Sequence, residues 1–365
     1  MSRVKVFGLA TVVVLLGVQA MASNFAVGTC MPSLSSYPTI SAAVAGVPPF
    51  STVLVCPGTY PEQVSISQPL TLKGATSANS SRVVVAVPGS GLSTSSSIFN
   101  STVEAQVMVT ASPVNISNIT VDGTGGNNGC ATSLYGVFYA SGSGGTINEV
   151  TTRNQLNSGC GFGIDAENGS NSAQLVTIQN SIVRNYDATG ILVGTNQTPP
   201  SLTVNIKGNY VPGGFNGIFT FFNAGVVSGN VATNNAQANI VAEAQVTVSG
   251  NTFTDSPFAG IWAFSQVTIT SNKVERNANG IILDIGPSTA QSNTISDSTI
   301  GIEFDCTSGN TVSKNFINDA STGINLVPSG FVGSNSYFSV DTIRSGGCGF
   351  APAPHPSAPK IARTQ

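Results

Sequence analysis

Three acidic residues occupy one position of a frame that recurs along the chain: Glu243 lies four residues after Asn239, and Asp284 and Asp305 lie four residues after Gly280 and Gly301. If neighbouring frames stack as parallel strands about 4.8 Å apart, Asp284 and Asp305 are roughly 5 Å apart, and Glu243 and Asp284 roughly 9–10 Å. Carboxyl pairs at about 5–5.5 Å or about 6.5–9.5 Å hydrolyse glycosidic bonds. Repulsion between stacked carboxylates keeps one of them protonated, as a general acid requires. The three residues are therefore candidates for catalysis.

The same frame carries aromatic residues two and four positions after its marker, namely Phe219, Phe221, Trp262 and Phe264. Because side chains alternate in a strand and positions +1 and +3 are apolar, positions +2 and +4 should face solvent. We therefore expect an exposed aromatic platform that binds a polysaccharide, with Glu303 accepting hydrogen bonds from sugar hydroxyls. In the alternative, a loop or the C-terminal tail covers this row, and its aromatic residues are ordinary core.

Oxygen ligands in this row would also suit a metal ion. Asp284, Glu303 and Asp305 together favour Ca²⁺. No other cofactor is predicted, because the chain has no Cys-x-x-Cys pair and its single histidine, His355, lies in a Pro-rich tail. Zinc sites and histidine-based triads are therefore disfavoured.

Two sequence markers recur with one period. Gly-aliphatic pairs begin at positions 136, 163, 190, 217, 260, 280, 301 and 323, and Asn239-Ile240 fills the gap between the fourth and the fifth. The second marker is an asparagine, which occurs at Asn180, Asn209, Asn230, Asn251, Asn272, Asn293 and Asn315. The residues between the markers alternate Val and Ile with Ser, Thr and Asn, which indicates strands without helices. The period predicts an all-β, right-handed parallel β-helix of about 10–11 coils with a short N-terminal capping helix.

Each marker has a structural interpretation in such a solenoid. The repeated asparagines should form a ladder of stacked amides, and asparagine also tolerates the left-handed backbone of a sharp turn. The glycine before each aliphatic residue should supply a permissive turn backbone.

The ends of the chain differ from its body, and they divide it into four segments. Residues 1–22 have the charged start, apolar core and small-residue cleavage site of a signal peptide. Residues 23–75 are predicted to be an N-terminal cap with the first coil, 76–344 the β-helix, and 345–365 a Pro- and Ala-rich tail. We expect a secreted or periplasmic protein that has no membrane span after cleavage. A net charge of −3 gives no basic footprint for nucleic acid.

Six cysteines fit an oxidising compartment. Fifteen pairings are open to them. Bonds between sequence neighbours are favoured, which gives Cys30–Cys56, Cys130–Cys160 and Cys306–Cys348.

Several short motifs resemble those of known β-helix proteins. The opening Pro38-Thr-Ile-x-x-Ala43, the turn Pro57-Gly-Thr-Tyr60-x-Glu62 and the strand Leu70-Thr-Leu-x-Gly74 are similar to the N-terminal coils of pectinesterase-like proteins. The later coils resemble generic repeats of the pectate-lyase-like superfamily, including the NosD-like family. This resemblance implies the fold over roughly 37–328, whereas the catalytic motifs of pectinesterases, polygalacturonases, pectate lyases and alginate epimerases are missing.

Three functions are compatible with these features. The leading hypothesis is recognition of an extracellular or cell-wall polysaccharide along the aromatic and acidic row. The first alternative is a polysaccharide lyase or glycoside hydrolase that uses Glu243, Asp284 or Asp305. The second alternative is a structural surface protein or adhesin without catalysis.

Overall fold

A computed structural model describes residues 23–75, 83–99, 101–126, 129–304, 309–325 and 331–346. These residues form the helix α1 (Ile40–Gly46) and 34 strands. The first seventeen strands are β1 (Asn24–Val27), β2 (Ser36–Tyr37), β3 (Thr52–Val55), β4 (Gly58–Pro61), β5 (Val64–Ile66), β6 (Leu70–Gly74), β7 (Val83–Ala86), β8 (Thr94–Ser96), β9 (Thr102–Val109), β10 (Val114–Ser117), β11 (Thr120–Asp122), β12 (Ser133–Tyr139), β13 (Gly145–Asn148), β14 (Thr151–Gln155), β15 (Gly161–Asn168), β16 (Gln174–Gln179) and β17 (Ile182–Tyr186). The others are β18 (Thr189–Thr195), β19 (Leu202–Lys207), β20 (Tyr210–Phe221), β21 (Ala224–Ser228), β22 (Val231–Ala242), β23 (Val246–Ser249), β24 (Thr252–Thr254), β25 (Ala259–Ala263), β26 (Thr268–Thr270), β27 (Lys273–Glu275), β28 (Asn279–Leu283), β29 (Thr289–Gln291), β30 (Thr294–Phe304), β31 (Thr311–Ser313), β32 (Phe316–Asn325), β33 (Phe331–Val332) and β34 (Ser336–Ser345).

Each coil contributes to three faces of parallel strands. The first face is a sheet in the order β2-β1-β3-β6-β10-β13-β16-β19-β21-β23-β26-β29-β31-β33. The second face contains β4, β7, β11, β14, β17, β24 and β27 with the first halves of the long strands β20, β22, β30, β32 and β34. The third face contains β5, β9, β12, β15, β18, β25 and β28 with the second halves of the same long strands. The predicted right-handed parallel β-helix is thus confirmed.

The core is a column of aliphatic side chains inside the three faces. In one coil, Val248 comes from the first face, Phe253 from the second and Ile261 from the third, and all three are fully buried. Burial of each such side chain contributes about 1.5–3 kcal/mol, and the stacking of successive coils makes the column continuous.

The predicted asparagine ladder is present at the turn between the first and second faces. The Asn251 amide donates to Asn272 Oδ1 at 2.9 Å and to the Val227 carbonyl at 2.9 Å, while its own oxygen accepts from the backbone and side-chain amides of Asn230. The same pattern links Asn209, Asn230, Asn251, Asn272, Asn293, Asn315 and Asn335. Each buried amide is therefore satisfied by its neighbours along the solenoid.

Two details of the predicted ladder are wrong or incomplete. Asn180 is not a member, because the adjacent Ser181 occupies the ladder position and its backbone amide donates to Asn209 Oδ1 at 3.0 Å. The Asn180 side chain instead donates to Asn148 in an exposed contact. The ladder continues at its other end to Asn335, which the sequence analysis did not include.

The left-handed residues of this turn are not the ladder asparagines but the residues before them. Gly208, Gly229 and Gly250 have φ of 64°, 63° and 62°, and Ser271 and Lys314 continue the series at 57° and 59°. The ladder asparagines have ordinary backbone angles. Their role is to hydrogen-bond through the side-chain amide, and their tolerance of a left-handed backbone plays no part.

The glycines of the Gly-aliphatic marker also act differently from the prediction. They lie inside strands of the third face, and a Cβ atom on Gly260, Gly280 or Gly301 would lie 2.8, 2.5 or 2.6 Å from a backbone oxygen of the next coil. The close approach of one coil to the next therefore excludes a side chain, and no turn conformation is involved.

The N-terminal cap explains the pectinesterase-like motif in structural terms. The Glu62 carboxylate accepts from the backbone amides of Ile40 and Ser41 at 2.9 and 2.8 Å, at the first turn of α1. The Tyr60 hydroxyl donates to the Cys56 carbonyl at 2.8 Å. The motif thus joins the capping helix to the first coil.

The described residues contain two disulfides, Cys30–Cys56 and Cys130–Cys160. Both are among the three neighbour pairings favoured from the sequence. Cys306 and Cys348 lie outside the described residues, as do the predicted signal peptide and all of the tail after residue 346. In the described part of the chain, no helix is long and apolar enough to cross a membrane.

We predict that Asn251→Ala lowers the free energy of unfolding by about 3 kcal/mol, because the buried amides of Asn230 lose their acceptor. Asn180→Gly is the control, since Asn180 is left-handed with a φ of 51° and has one exposed side-chain hydrogen bond; its effect should stay below about 1 kcal/mol. Urea unfolding followed by circular dichroism measures both. Equal losses would contradict the assignment of the ladder.

Candidate functional site

The predicted aromatic row lies on the third face in the expected register. Phe219 pairs with Val241, Val241 with Trp262, Trp262 with Ile282, and Ile282 with Glu303, one residue per coil. We call these five residues the +2 row. The +4 row, one pleat further along the strands, contains Phe221, Glu243, Phe264 and Asp284.

The predicted exposure of this platform is wrong for its two members in the +2 row. Phe219 and Trp262 are only 3% and 2% exposed. They pack with Leu192, Val241 and Ile282 into a second apolar cluster outside the main core. Alternation does place these residues on the opposite side from the core, but that side is itself covered.

The aromatic contacts of Trp262 show how the cluster is built. Its ring lies 5.4 Å from the Phe258 ring and 5.1 Å from the Phe264 ring, and its indole nitrogen donates to Asp284 Oδ2 at 3.0 Å. Phe221, Phe264, Glu243, Asp284 and Glu303 remain partly exposed. The rim of the predicted platform is therefore accessible, whereas its centre is buried.

The candidate catalytic residues are only partly brought together. Glu243 and Asp284 belong to the same row with Phe264 on the coil between them, as their backbone pairing shows. Asp305 lies outside the described residues, so the Asp284–Asp305 pair and the predicted Ca²⁺ ligand set cannot be placed. Among the residues that are described, no three His, Cys, Asp or Glu side chains form a metal-binding group.

The second face has a concave site that the sequence analysis missed. This groove has a volume of about 730 Å³. Its lining residues are Asp122, Arg153, Asn154, Arg184, Asn185, Tyr186, Pro212, Gly213 and Asn234. Two arginines in one groove are notable in a chain that has only 13 lysines and arginines in total.

Strand pairing places the charged groups of the groove in one row. Asp122 pairs with Arg153 and Arg153 pairs with Arg184, so the two guanidinium groups come from consecutive coils. The Asp122 carboxylate accepts from Arg153 Nε at 2.8 Å and also from Thr124 and Asn154. Although burial acts to raise the pKa of Asp122, these donors outweigh it and hold the pKa at about 2.

Arg184 differs from Arg153 because it is exposed and forms no ion pair with any described residue. The Asp122 charge is committed to Arg153, which leaves the Arg184 guanidinium as an open cation on the groove. An open guanidinium offers a planar fork of donors that matches a carboxylate or a sulfate.

Amide side chains line the adjoining turn. Asn154, Asn185 and Asn234 have left-handed φ values of 62°, 59° and 56°, and Asn185 donates to Asn154 Oδ1 at 2.6 Å. The repeated dipeptide Arg-Asn, at 153–154 and 184–185, is the sequence signal that would have revealed this site. It was missed because the markers of the repeat lie on the other faces.

An apolar strip borders the groove. Ile182, Tyr210 and Val231 follow one another coil on coil and are 40%, 45% and 38% exposed. Ile182 lies two residues before Arg184 on the same strand and the same side of the sheet. An aromatic ring, a guanidinium group and amide groups therefore share one surface.

Comparison with known proteins agrees with the architecture. A family model described as the right-handed beta helix region matches residues 163–300 and 245–357, which together exceed half of the chain. The chain belongs to the right-handed β-helix family. No curated protein sequence matches it closely enough to count as a relative.

Several solved structures share the fold at low identity. The A-module of the Azotobacter vinelandii mannuronan C-5 epimerase AlgE4 aligns with a TM-score of 0.63 and 16% identity, over 84% of this chain and 92% of that one. The Dettilon tailspike protein gives a TM-score of 0.56 and 14% identity, over 82% and 63%. The GH136 lacto-N-biosidase of Eubacterium ramulus gives 0.54 and 11%, over 88% and 68%. At such identities the likeness concerns the fold.

We predict that iodide quenches Trp262, the only tryptophan of this β-helix chain, several-fold less in the folded protein than in urea. The matched control is Trp262→Phe with Phe338→Trp, which moves the single indole to a position whose native side chain is 66% exposed. The control should be quenched strongly in the folded state. If both proteins are quenched alike, the aromatic platform is open, as the sequence first suggested.

Proposed function

We propose that the protein binds an extracellular anionic polysaccharide in the groove of its second face. The observation that carries this proposal is the open Arg184 guanidinium, one coil away from Arg153, in a concave site lined by amides. Because the chain has a net charge of −3, this cation is a local feature and not part of a generally basic surface. A carboxylate or sulfate group of a glycan would provide its missing partner.

The surroundings of Arg184 suit the rest of a sugar. Asn154, Asn185 and Asn234 offer amide donors and acceptors for hydroxyl groups. Tyr210 and Ile182 present exposed apolar surface for the face of a pyranose ring. Since these groups repeat from coil to coil, a polymer that lies along the solenoid axis can contact several of them at once.

The known relatives in fold are consistent with a carbohydrate ligand. The mannuronan epimerase module and the lacto-N-biosidase are both named for reactions on carbohydrates. Two disulfides also support a secreted or periplasmic location, where such polymers occur. The glycan is assigned to the second face and not to the aromatic row of the third, because Phe219 and Trp262 of that row are buried.

We predict that Arg184→Ala weakens binding to an acidic polysaccharide by about tenfold or more, because one charge-assisted contact contributes about 1.5–3 kcal/mol. Retention would be measured by affinity electrophoresis in gels containing polygalacturonate, alginate, a sulfated glycan or neutral xylan. Arg184→Lys should bind with intermediate strength, since it keeps the charge and loses the fork.

Arg276→Ala is the matched control, because it removes the same charge from an exposed arginine that already pairs with Asp255. It should change retention by less than about twofold. Equal losses in Arg184→Ala and Arg276→Ala would contradict the groove. If no acidic polysaccharide is retained, the structural surface-protein alternative replaces the proposal.

The catalytic assignment of Glu243, Asp284 and Asp305 stays a prediction, and the same experiment examines it. Mass spectrometry of the retained polysaccharide would detect shortened or unsaturated chains. Such products, if abolished by Asp284→Asn, would make the protein a hydrolase or lyase; intact polymer would leave it a binding protein.

A further inference from the structure

A hairpin folds over the N-terminal part of the third face. Strand β8 pairs antiparallel with β9, with Thr94 opposite Glu104 and Ser96 opposite Thr102, whereas the other pairings among the described strands are parallel. We call residues 94–99 the strap. At its base, the Gln63 side chain donates to the Ser93 carbonyl and accepts from the Ser93 amide, both at 3.0 Å.

One carboxylate holds the tip of the strap. Glu167 accepts from the Ser97 hydroxyl at 2.5 Å and from the Ile98 amide at 2.8 Å. Glu167 is itself 1% exposed, so the two contacts are shielded from water. The strap therefore depends on the ionisation state of a buried group.

The apolar end of the strap fits a notch in the β-helix. The Phe99 ring lies 5.4 Å from the Phe221 ring, and a Cβ atom on Gly194 would lie 2.9 Å from Phe99 Cζ. Glu167, Gly194 and Phe221 belong to consecutive coils at one strand position. The strap thus lies along the solenoid axis over three coils.

A second carboxyl group lies beneath the strap. Asp165 is fully buried, two residues before Glu167 on β15, and neither of its oxygens has a hydrogen-bond partner. The Glu167 carboxyl and the Tyr135 hydroxyl lie beside it. Among the described buried side-chain atoms without a partner, those of Asp165 are the ones that belong to a carboxyl group, whose charged form burial penalises most.

Burial, followed by the nearby Glu167 charge, raises the pKa of Asp165 well above its ordinary value. Burial also raises the pKa of Glu167, against the hydrogen bonds from Ser97 and Ile98. Burial and the two carboxyl groups raise the pKa of Tyr135, so its hydroxyl stays neutral. The closed strap therefore favours a pair that retains at least one proton.

Few other charged groups face this pair. Glu104 on β9 lies at the base of the strap, opposite Thr94, and β18 carries no titratable residue. Among the described ion pairs none includes Asp165 or Glu167, so no cation offsets a second negative charge there.

We propose that the strap is a pH-sensitive cover that stays closed while Asp165 and Glu167 together retain a proton and opens as both become ionised. The direction follows from linkage. An acid whose affinity for protons is higher in the closed state stabilises that state fully at low pH, and the stabilisation is lost as the pH rises from about 4 toward its closed-state value. Opening releases Glu167 from Ser97 and Ile98 and exposes the carboxyl pair to solvent. This device lies on the third face and does not depend on the glycan groove of the second.

The test is amide hydrogen exchange of the full chain from pH 5 to 8, corrected for the intrinsic exchange rate. Protection of the Ile98 and Phe99 amides should fall about tenfold per pH unit when one proton is released on opening. Asp165→Asn leaves Glu167 as the only ionisable group of the pair. The slope of protection against pH should therefore be smaller by one proton. Asp255→Asn, which alters a partly exposed carboxylate on the second face, should keep the wild-type profile.

Asp165→Leu is a second variant in case the amide does not fold, because Leu192 occupies the paired position on the next coil. It should show the same weaker dependence. Protection that is independent of pH in the wild type would overturn the proposal. A wild-type profile in both Asp165 variants would overturn it as well.

Discussion

The stacking of one coil on the next at a fixed spacing is the constraint on which the rest of this structure depends. Each coil must present its neighbour with hydrogen-bond partners for its buried backbone groups and for the polar side chains at its turns, or the column opens. The asparagine ladder meets this requirement at one turn, since each amide serves the coil before and the coil after it. On the third face the same spacing imposes a steric limit. Glycines such as Gly280 are needed there because any side chain would strike the backbone of the next coil.

This constraint explains why the fold could be predicted from the sequence. A structural requirement that recurs in every coil selects the same residue type at the same position of every coil. The Gly-Ile pairs and the repeated asparagines are such positions. The error at Asn180 has the same origin. Asn180 and Ser181 are adjacent polar residues in a longer coil, and the period alone does not distinguish which of them faces inward.

Exposure was harder to predict because it depends on contacts between distant parts of the chain. Alternation correctly placed Trp262 on the side away from the core, but an apolar cluster covers that side. Glu167 is buried by a strap that lies some 70 residues earlier in the sequence. The groove was missed for another reason: neither marker of the repeat lies within the strands of the second face, so no marker aligned Arg153 with Arg184.

The ladder has an evolutionary consequence. Between Asn209 and Asn293 every coil contributes the same contacts to both neighbours, so a coil could be gained or lost by recombination without creating a new kind of interface. The number of coils in this region is then free to vary while the turns diverge. A lineage of such chains could change the length of the solenoid by duplication alone, before any point mutation in the groove.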